Sequence, residues 1–105
     1  MPKTVLITGC STGLGNTTAK KFANEGWNVV ATMRKPDERI AAENPERILV
    51  TELDVTSPAS IEAGIAAGID RFGRIDTIVN NAGVSVVSIF EATPMDVIGI
   101  TILRA

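Results

Sequence analysis

The sequence contains no histidine and no tyrosine, two of the side chains that most often transfer protons near pH 7. It has one cysteine, Cys10, which excludes an intrachain disulfide and favours a reducing, cytoplasmic location. No apolar stretch reaches the roughly 18 residues that a membrane span needs. A strand pattern follows Met1–Lys3 directly, without room for a signal peptide. We expect no membrane partner, and no metal site is predicted.

Positive charge is also sparse and dispersed. The chain carries 10 Lys and Arg against 12 Asp and Glu, a net charge of −2. Its longest basic runs are the pairs Lys20-Lys21 and Arg34-Lys35. Because nucleic-acid-binding proteins usually present a basic face, we exclude nucleic acid as a partner. The length of 105 residues suits one domain, residues 1–105.

Short β-branched runs alternate with amphipathic segments along most of the chain. Strands are predicted at residues 4–8, 28–33, 47–53 and 76–80, and helices at residues 14–25, 37–43 and 57–72. The apolar helix faces consist of Leu14, Thr18, Ala19, Phe22 and Ala23 in the first helix and Ile61, Ile65, Ile69 and Phe72 in the last. Gly64 and Gly68 interrupt the last helix, which indicates close packing against a sheet.

The predicted strands are continuous apolar runs, which is typical of strands buried on both faces. Strands of this kind that alternate with helices form right-handed βαβ units with a parallel sheet between helical layers. We therefore predict an α/β fold that is half of a doubly wound (Rossmann) sheet, with strand order 3-2-1-4 and helices on both faces.

A glycine-rich loop, Gly9-Cys10-Ser11-Thr12-Gly13-Leu14-Gly15, joins the first strand to the first helix. Glycine there permits a tight turn, a close approach of backbone to a pyrophosphate, and close packing of the helix on the sheet. The N–H groups of the following helix N-terminus favour a phosphate, and the Ser11 and Thr12 hydroxyls add donors. The alternative is a glycine-rich turn that binds nothing.

Three motifs together resemble the short-chain dehydrogenase/reductase family. They are Thr8-Gly9-x-x-x-Gly13-Leu14-Gly15, Asp54-Val55 after the third strand, and Asn80-Asn81-Ala82-Gly83 after the fourth. The resemblance implies NAD(P)(H)-dependent hydride transfer between an alcohol and a carbonyl. The cofactor-binding residues that the motifs and the end of the second strand predict are Gly9, Ser11, Thr12, Gly13, Leu14, Gly15, Arg34, Asp54, Val55, Asn81, Ala82 and Gly83.

Two of these motifs also have structural alternatives. Asp54 can accept a hydrogen bond from an exocyclic amine, or it can cap the turn that leads into Thr56 and Ser57. Asn80 and Asn81 can contact a cofactor, or they can tie neighbouring strand backbones together.

The end of the second strand distinguishes between the two nicotinamide cofactors. NAD-binding proteins place an acidic residue there for the ribose 2′-hydroxyl, whereas an Arg accommodates a 2′-phosphate. This chain has Met33 at that position, followed by Arg34 and Lys35. We therefore predict NADP, although Thr12 lacks the basic side chain that many NADP-type family members carry in the loop. A solvated basic turn is the alternative.

The catalytic part of the family pattern is missing from these residues. The family uses a serine, a tyrosine and a lysine that lie beyond the Asn-Asn-Ala-Gly motif, but the last lysine here is Lys35 and no tyrosine exists. Ser85 and Ser88 come too early to match the catalytic serine. We expect a truncated nucleotide-binding part without catalytic residues. The alternative is a self-associating or regulatory fragment that binds no cofactor.

The C-terminal segment, residues 94–105, is atypical. Asp96-Val97-Ile98-Gly99 resembles a helical Asn-Val-x-Gly motif of the family, but it follows Asn81 too closely. The apolar alternation at residues 98–103 favours a strand instead, and both interpretations stay open. With no fifth parallel strand, the fourth strand is predicted to have a bare edge. We therefore expect a homodimer that pairs these edges or exchanges the C-terminal segment.

Overall fold

The computed structural model describes residues 2–11, 13–81, 94–97 and 100–104. Its helices are α1 (Gly13–Asn24) and α2 (Pro58–Phe72), and a 3₁₀ turn spans Glu38–Ala41. Its strands are β1 (Thr4–Ile7), β2 (Asn28–Met33), β3 (Ile48–Glu52), β4 (Thr77–Asn80), β5 (Pro94–Val97) and β6 (Ile100–Arg104). The first four strands and both long helices lie where the sequence predicts them. The weak helix at residues 37–43 is shorter and is a 3₁₀ turn.

The strands form one sheet in the order β3-β2-β1-β4-β6-β5. β1 pairs in parallel with β2 on one side and with β4 on the other, and β2 pairs in parallel with β3. The predicted order 3-2-1-4 and the α/β Rossmann-like class are therefore confirmed. The switch point, where the chain crosses from one side of β1 to the other, lies between β1 and β4.

The prediction that β4 has a bare edge is wrong. β6 pairs antiparallel with β4 from Thr77↔Arg104 to Asn80↔Thr101, and β5 pairs antiparallel with β6. The strand interpretation of the C-terminal segment is confirmed, since residues 94–97 form a strand. The helix suggested by Asp96-Val97 does not form over these residues. The physical reason is that an open edge leaves unpaired N–H and C=O groups, which a β-branched segment of the same chain can satisfy.

Two apolar layers cover the sheet, one on each face. Val5 and Ile7 of β1 join the cluster that includes Ala19 and Ala23 of α1. Leu6, between them, joins the opposite cluster with Ile61 of α2. This alternation follows from the period of two along a strand, and each fully buried side chain of this size contributes about 1.5–3 kcal/mol.

The helix faces differ in part from the predicted ones. Leu14 is 50% exposed and Ile69 is 48% exposed, although both belong to the predicted apolar faces. Small residues make the closest contacts instead, because they let each helix lie near the sheet. A Cβ on Gly64 would lie 2.8 Å from Leu53 Cδ1, and one on Gly68 would lie 2.7 Å from Val30 Cγ2. The close packing predicted for these two glycines is confirmed.

The ends of α2 are also as predicted. The Ser57 hydroxyl accepts a hydrogen bond from the Ser60 amide, and Pro58 follows at the first helical position. Gly73 ends the helix with a φ of 82°, a conformation that favours glycine. In the described part of the chain, no helix is both long enough and apolar enough to cross a membrane.

Candidate functional site

The loop between β1 and α1 is packed against itself. Gly9 and Gly13 have positive φ values of 68° and 62°. A Cβ on Gly15 would lie 2.2 Å from the Gly9 carbonyl oxygen and 2.7 Å from Asn81 Nδ2. No side chain fits at Gly15 without moving backbone, so the loop requires glycine at this position.

Hydrogen bonds connect this loop to β4 and β2, the two strands that flank β1. The Thr8 amide donates to the Val79 carbonyl at 3.1 Å, and the Cys10 amide donates to the Thr32 carbonyl at 3.0 Å. Asn81 Nδ2 donates to the Gly9 carbonyl at 3.2 Å. These three hydrogen bonds tie Thr8, Gly9 and Cys10 to β4, Asn81 and β2.

Cys10 lies in this loop with its thiol buried. Its side chain is fully buried, and the thiol contacts the Ile7 carbonyl oxygen at 3.2 Å. Burial raises the pKa of the Cys10 thiol to about 12, so the thiolate is not formed near neutral pH.

The start of α1 is suited to an anion. The helix begins at Gly13 and has no acidic residue in its first turn. Its N-terminal N–H groups and partial positive charge therefore face no carboxylate from that turn. Leu14, in the same turn, leaves half of its apolar surface exposed.

A cleft of about 510 Å³ opens at the carboxyl ends of the parallel strands, and we call it the main cleft. Its walls combine loop backbone, apolar side chains and two cations. They consist of Gly9, Ser11, Met33, Arg34, Lys35, Leu53 and Val55. A flat apolar group and an anionic group fit such a lining.

Asp54 makes the contacts of a turn cap. Its Oδ1 accepts hydrogen bonds from the Thr56 amide at 2.9 Å and the Thr56 hydroxyl at 2.6 Å. The Thr56 hydroxyl is the main cause that lowers the pKa of Asp54, followed by the Thr56 amide, and Arg34 adds a small attraction. Asp54 therefore caps the turn at Thr56, which is one of its two predicted roles. A contact between Asp54 and a cofactor stays a prediction.

Asn80 and Asn81 tie β4 to β1 and its loop. Asn80 Oδ1 accepts a hydrogen bond from the Thr8 hydroxyl at 2.9 Å, in a buried position. Asn81 holds the Gly9 carbonyl, as described above. This confirms that the motif joins neighbouring strands. The predicted site residues Thr12, Ala82 and Gly83 lie outside the described residues, as do Ser85 and Ser88.

A second opening, which we call the small cleft, was not predicted from the sequence. It has a volume of about 250 Å³ and lies between the loop, α1 and the 3₁₀ turn. Its lining consists of Cys10, Ser11, Asn16, Lys20, Met33, Asp37, Arg39 and Ile40. The only sequence signal for it was the helical spacing of Asn16 and Lys20, because the turn that completes its wall is separated from α1 in sequence.

A family model described as short chain dehydrogenase matches residues 3–102. The chain belongs to the short chain dehydrogenase family. The resemblance inferred from the three motifs is thus confirmed.

Individual relatives support the same assignment. The chain is 40% identical over 87 residues to a serine 3-dehydrogenase from Agrobacterium fabrum, covering 81% of this chain and 35% of that protein. It is 38% identical over 92 residues to 3beta-hydroxysteroid dehydrogenase 1 from Eggerthella lenta, covering 82% and 35%. The chain is also similar to a solved 3-ketoacyl-(acyl-carrier-protein) reductase from Brucella melitensis, complexed with NADH, with a TM-score of 0.67 and 36% identity. The match covers 70% of this chain and 31% of that protein.

The chain thus spans about a third of the length of these curated relatives.

Proposed function

We propose that this chain binds NADP through the main cleft and does not by itself catalyse hydride transfer. The observation that carries the proposal is the composition of the main cleft. Loop backbone lies on one side, and Met33, Arg34 and Lys35 lie on the other. No carboxylate stands at the end of β2, where an NAD-binding protein would place one for the ribose 2′-hydroxyl.

The residues have separate roles in this proposal. The backbone of the loop and the N-terminus of α1 receive the pyrophosphate, as the positive φ values at Gly9 and Gly13 allow a close approach. Leu53 and Val55 pack against the adenine, and Arg34 attracts the 2′-phosphate. A bound nicotinamide cofactor carries the hydride in the oxidoreductases of this family.

Catalysis would need a proton donor that these residues do not provide. The 105 residues contain no tyrosine and no histidine, and Cys10 is buried with its pKa raised to about 12. Oxidoreductase activity therefore belongs, in this proposal, to a longer or assembled protein. Turnover of any alcohol by the purified chain would contradict it.

Titration with the two reduced cofactors tests the proposal. We expect NADPH to bind more tightly than NADH, measured by the fluorescence of the reduced nicotinamide. Arg34→Asp is expected to reduce NADPH affinity by about tenfold or more and to shift preference toward NADH, since it replaces an attractive charge by a repulsive one. Glu43→Gln, an exposed charge change, serves as the control. If neither NADPH nor NADH binds at concentrations up to millimolar, the proposal is rejected.

A second candidate function is self-association, with or without cofactor. The observation that favours it is that β5 now forms the outer edge of the sheet beside β6. An edge strand presents unpaired backbone groups that can pair with a second copy. We therefore propose a homodimer through the C-terminal segment and not through β4. A dilute monomer in gel filtration would exclude it.

The cytoplasmic location stays a prediction based on cysteine content.

A further inference from the structure

Thr32 of β2 holds the chain on both sides of the turn that begins the glycine loop. Its side chain is fully buried, and its hydroxyl donates a hydrogen bond to the Ile7 carbonyl oxygen at 2.9 Å. Its own carbonyl oxygen accepts a hydrogen bond from the Cys10 amide at 3.0 Å. One residue of β2 therefore contacts the last residue of β1 and the second residue of the loop, with only Thr8 and Gly9 between them.

The hydroxyl of Thr32 is the stronger of two side-chain donors at the Ile7 carbonyl. The Cys10 thiol also lies against this oxygen, at 3.2 Å, but a thiol is a weak donor. Both Thr32 and Ile7 are fully buried, so water does not replace a lost hydroxyl. Removing the Thr32 hydroxyl therefore weakens the link between β2 and the start of the loop.

The backbone that Thr32 contacts continues directly into the wall of the main cleft. Gly9 and Ser11, the two neighbours of Cys10, line this cleft, whereas Thr32 has no exposed surface. Gly9 has a positive φ of 68°, which is the conformation that turns the chain at this point. A shift of Cys10 therefore moves loop backbone that receives the pyrophosphate in the proposed function, and binding groups depend on such support for their position.

We propose that Thr32 is a positioning residue for cofactor binding, which acts through the Ile7 carbonyl and the Cys10 amide without touching the cofactor. The inference rests on the proposed function. Because the pyrophosphate is common to NADP and NAD, the Thr32 hydroxyl contributes to the affinity for both cofactors and not to the choice between them. Arg34 differs in this respect, since its charge acts on the 2′-phosphate.

Two substitutions at Thr32 separate the hydrogen bond from side-chain packing. Thr32→Val replaces the hydroxyl by a methyl group, and its β-branched side chain suits a strand, so the variant is expected to fold. We expect it to weaken the binding of NADPH and of NADH about fivefold each, the size of one net hydrogen bond. Thr32→Ser keeps the hydroxyl and is expected to keep the affinity of the unmodified chain, although the lost methyl group lowers its stability.

Thr4→Val is the matched control. Thr4 is also a fully buried residue of the parallel sheet, but its hydroxyl has no hydrogen-bond partner among the residues that the structure describes. The same replacement of hydroxyl by methyl is expected to leave both dissociation constants unchanged and to raise the temperature of unfolding, because an unpaired buried hydroxyl is unfavourable. Circular dichroism checks that each variant is folded under the conditions of the titration.

Hydrogen exchange of the Cys10 amide gives a second measurement that needs no cofactor. We expect exchange about fivefold faster in Thr32→Val than in the unmodified chain, and no change in Thr4→Val, because only the former loosens the contact between β2 and the loop. Unchanged exchange in Thr32→Val would contradict a role that acts through Cys10.

The outcomes separate this inference from the proposed function. An equal loss of NADPH and NADH affinity in Thr32→Val, absent from Thr32→Ser and Thr4→Val, supports the positioning role. If Thr32→Val lowers the stability alone, its role is merely structural, and the inference is overturned while cofactor binding stands. A loss that is as large in Thr32→Ser, or that affects NADPH only, also overturns it. Failure of the unmodified chain to bind either cofactor overturns both.

Discussion

Several charged side chains at the two ends of the parallel strands have different partners. At the amino ends, charged side chains hold backbone groups. Asp76 Oδ2 accepts a hydrogen bond from the buried Thr4 amide at 2.8 Å, and Arg47 donates to the Gly26 carbonyl at 2.9 Å. At the carboxyl ends, Arg34 and Lys35 line the main cleft and form no ion pair within the described ranges.

This difference separates stability from function in a small fold. A charge that satisfies a buried backbone group contributes to folding, because removing it leaves that group without a partner. A charge that faces a cleft without a protein partner contributes little to folding and remains available for a ligand. Substitutions at the two ends should therefore affect different measurements.

The largest loss of stability is expected from a substitution at the carboxyl ends of the strands, where the backbone of the glycine loop is closely packed. Gly15→Ala places a methyl group 2.2 Å from the Gly9 carbonyl oxygen. We expect it to lower the free energy of unfolding by more than about 3 kcal/mol, because backbone must move to relieve the overlap. Urea denaturation followed by circular dichroism measures this loss.

Gly13→Ala is the matched control for Gly15→Ala. Its Cβ would meet nothing within 4 Å, so only its φ of 62° opposes the substitution. That conformation costs about 1–2 kcal/mol for an L-residue. Equal destabilisation by the two substitutions would show that steric overlap with the Gly9 carbonyl is not what requires glycine at position 15.

The next effect is expected at the amino ends. Asp76→Ala leaves the buried Thr4 amide without its acceptor and should lower the free energy of unfolding by about 2 kcal/mol. Asp37→Ala removes a similar aspartate–arginine pair at an exposed turn and should cost under about 1 kcal/mol. Equal losses would contradict the role assigned to the Thr4 contact.

The same aspartate predicts a dependence on pH. The Arg74 guanidinium and the Thr4 amide hold the pKa of Asp76 below its ordinary value of 3.8. A lowered folded-state pKa means that this stabilisation is complete above the ordinary value and is lost as the pH falls through the folded value. Relative to Asp76→Ala, the unmodified chain should therefore lose its advantage in acid. A constant difference from pH 7 to pH 3 would contradict this.

The smallest effect is expected where β4 meets the loop. Asn81→Ala removes one hydrogen bond to the Gly9 carbonyl and should cost about 1 kcal/mol. Asn81→Asp places a carboxylate against that carbonyl and should cost more, by about 1 kcal/mol, since two acceptors then face each other. If aspartate were as stable as asparagine in thermal denaturation, the amide would not be the group that holds the loop.

Local patterns accounted for much of this structure. β-branched runs predicted β1 to β4, and the Ser57-Pro58 start and Gly73 end of α2 followed from capping chemistry. Leu14 and Ile69 were misassigned to buried faces, because helical periodicity indicates a face but not how much of it the sheet covers. The glycines of α2 make the closest approach to the sheet, and Ile69, next to Gly68, stays 48% exposed.

Contacts between segments distant in sequence could not be predicted in the same way. Asp76 and Thr4 are 72 residues apart, as are Asn81 and Gly9, and only the parallel pairing of β1 with β4 brings them together. The pairing of β6 with β4 also escaped prediction, since alternation indicates a strand but not its partner.

The sequence by itself determined β1 to β4, the two long helices and the glycine loop, because periodicity, caps and glycine conformations act over a few neighbouring residues. The order 3-2-1-4 of the parallel strands followed from the right-handed βαβ rule. Only the tertiary structure decided which charges are used by the protein and which face a cleft. That distinction depends on distances between separate elements, and it places Lys20 of α1 beside the 3₁₀ turn and Asp76 beside Thr4.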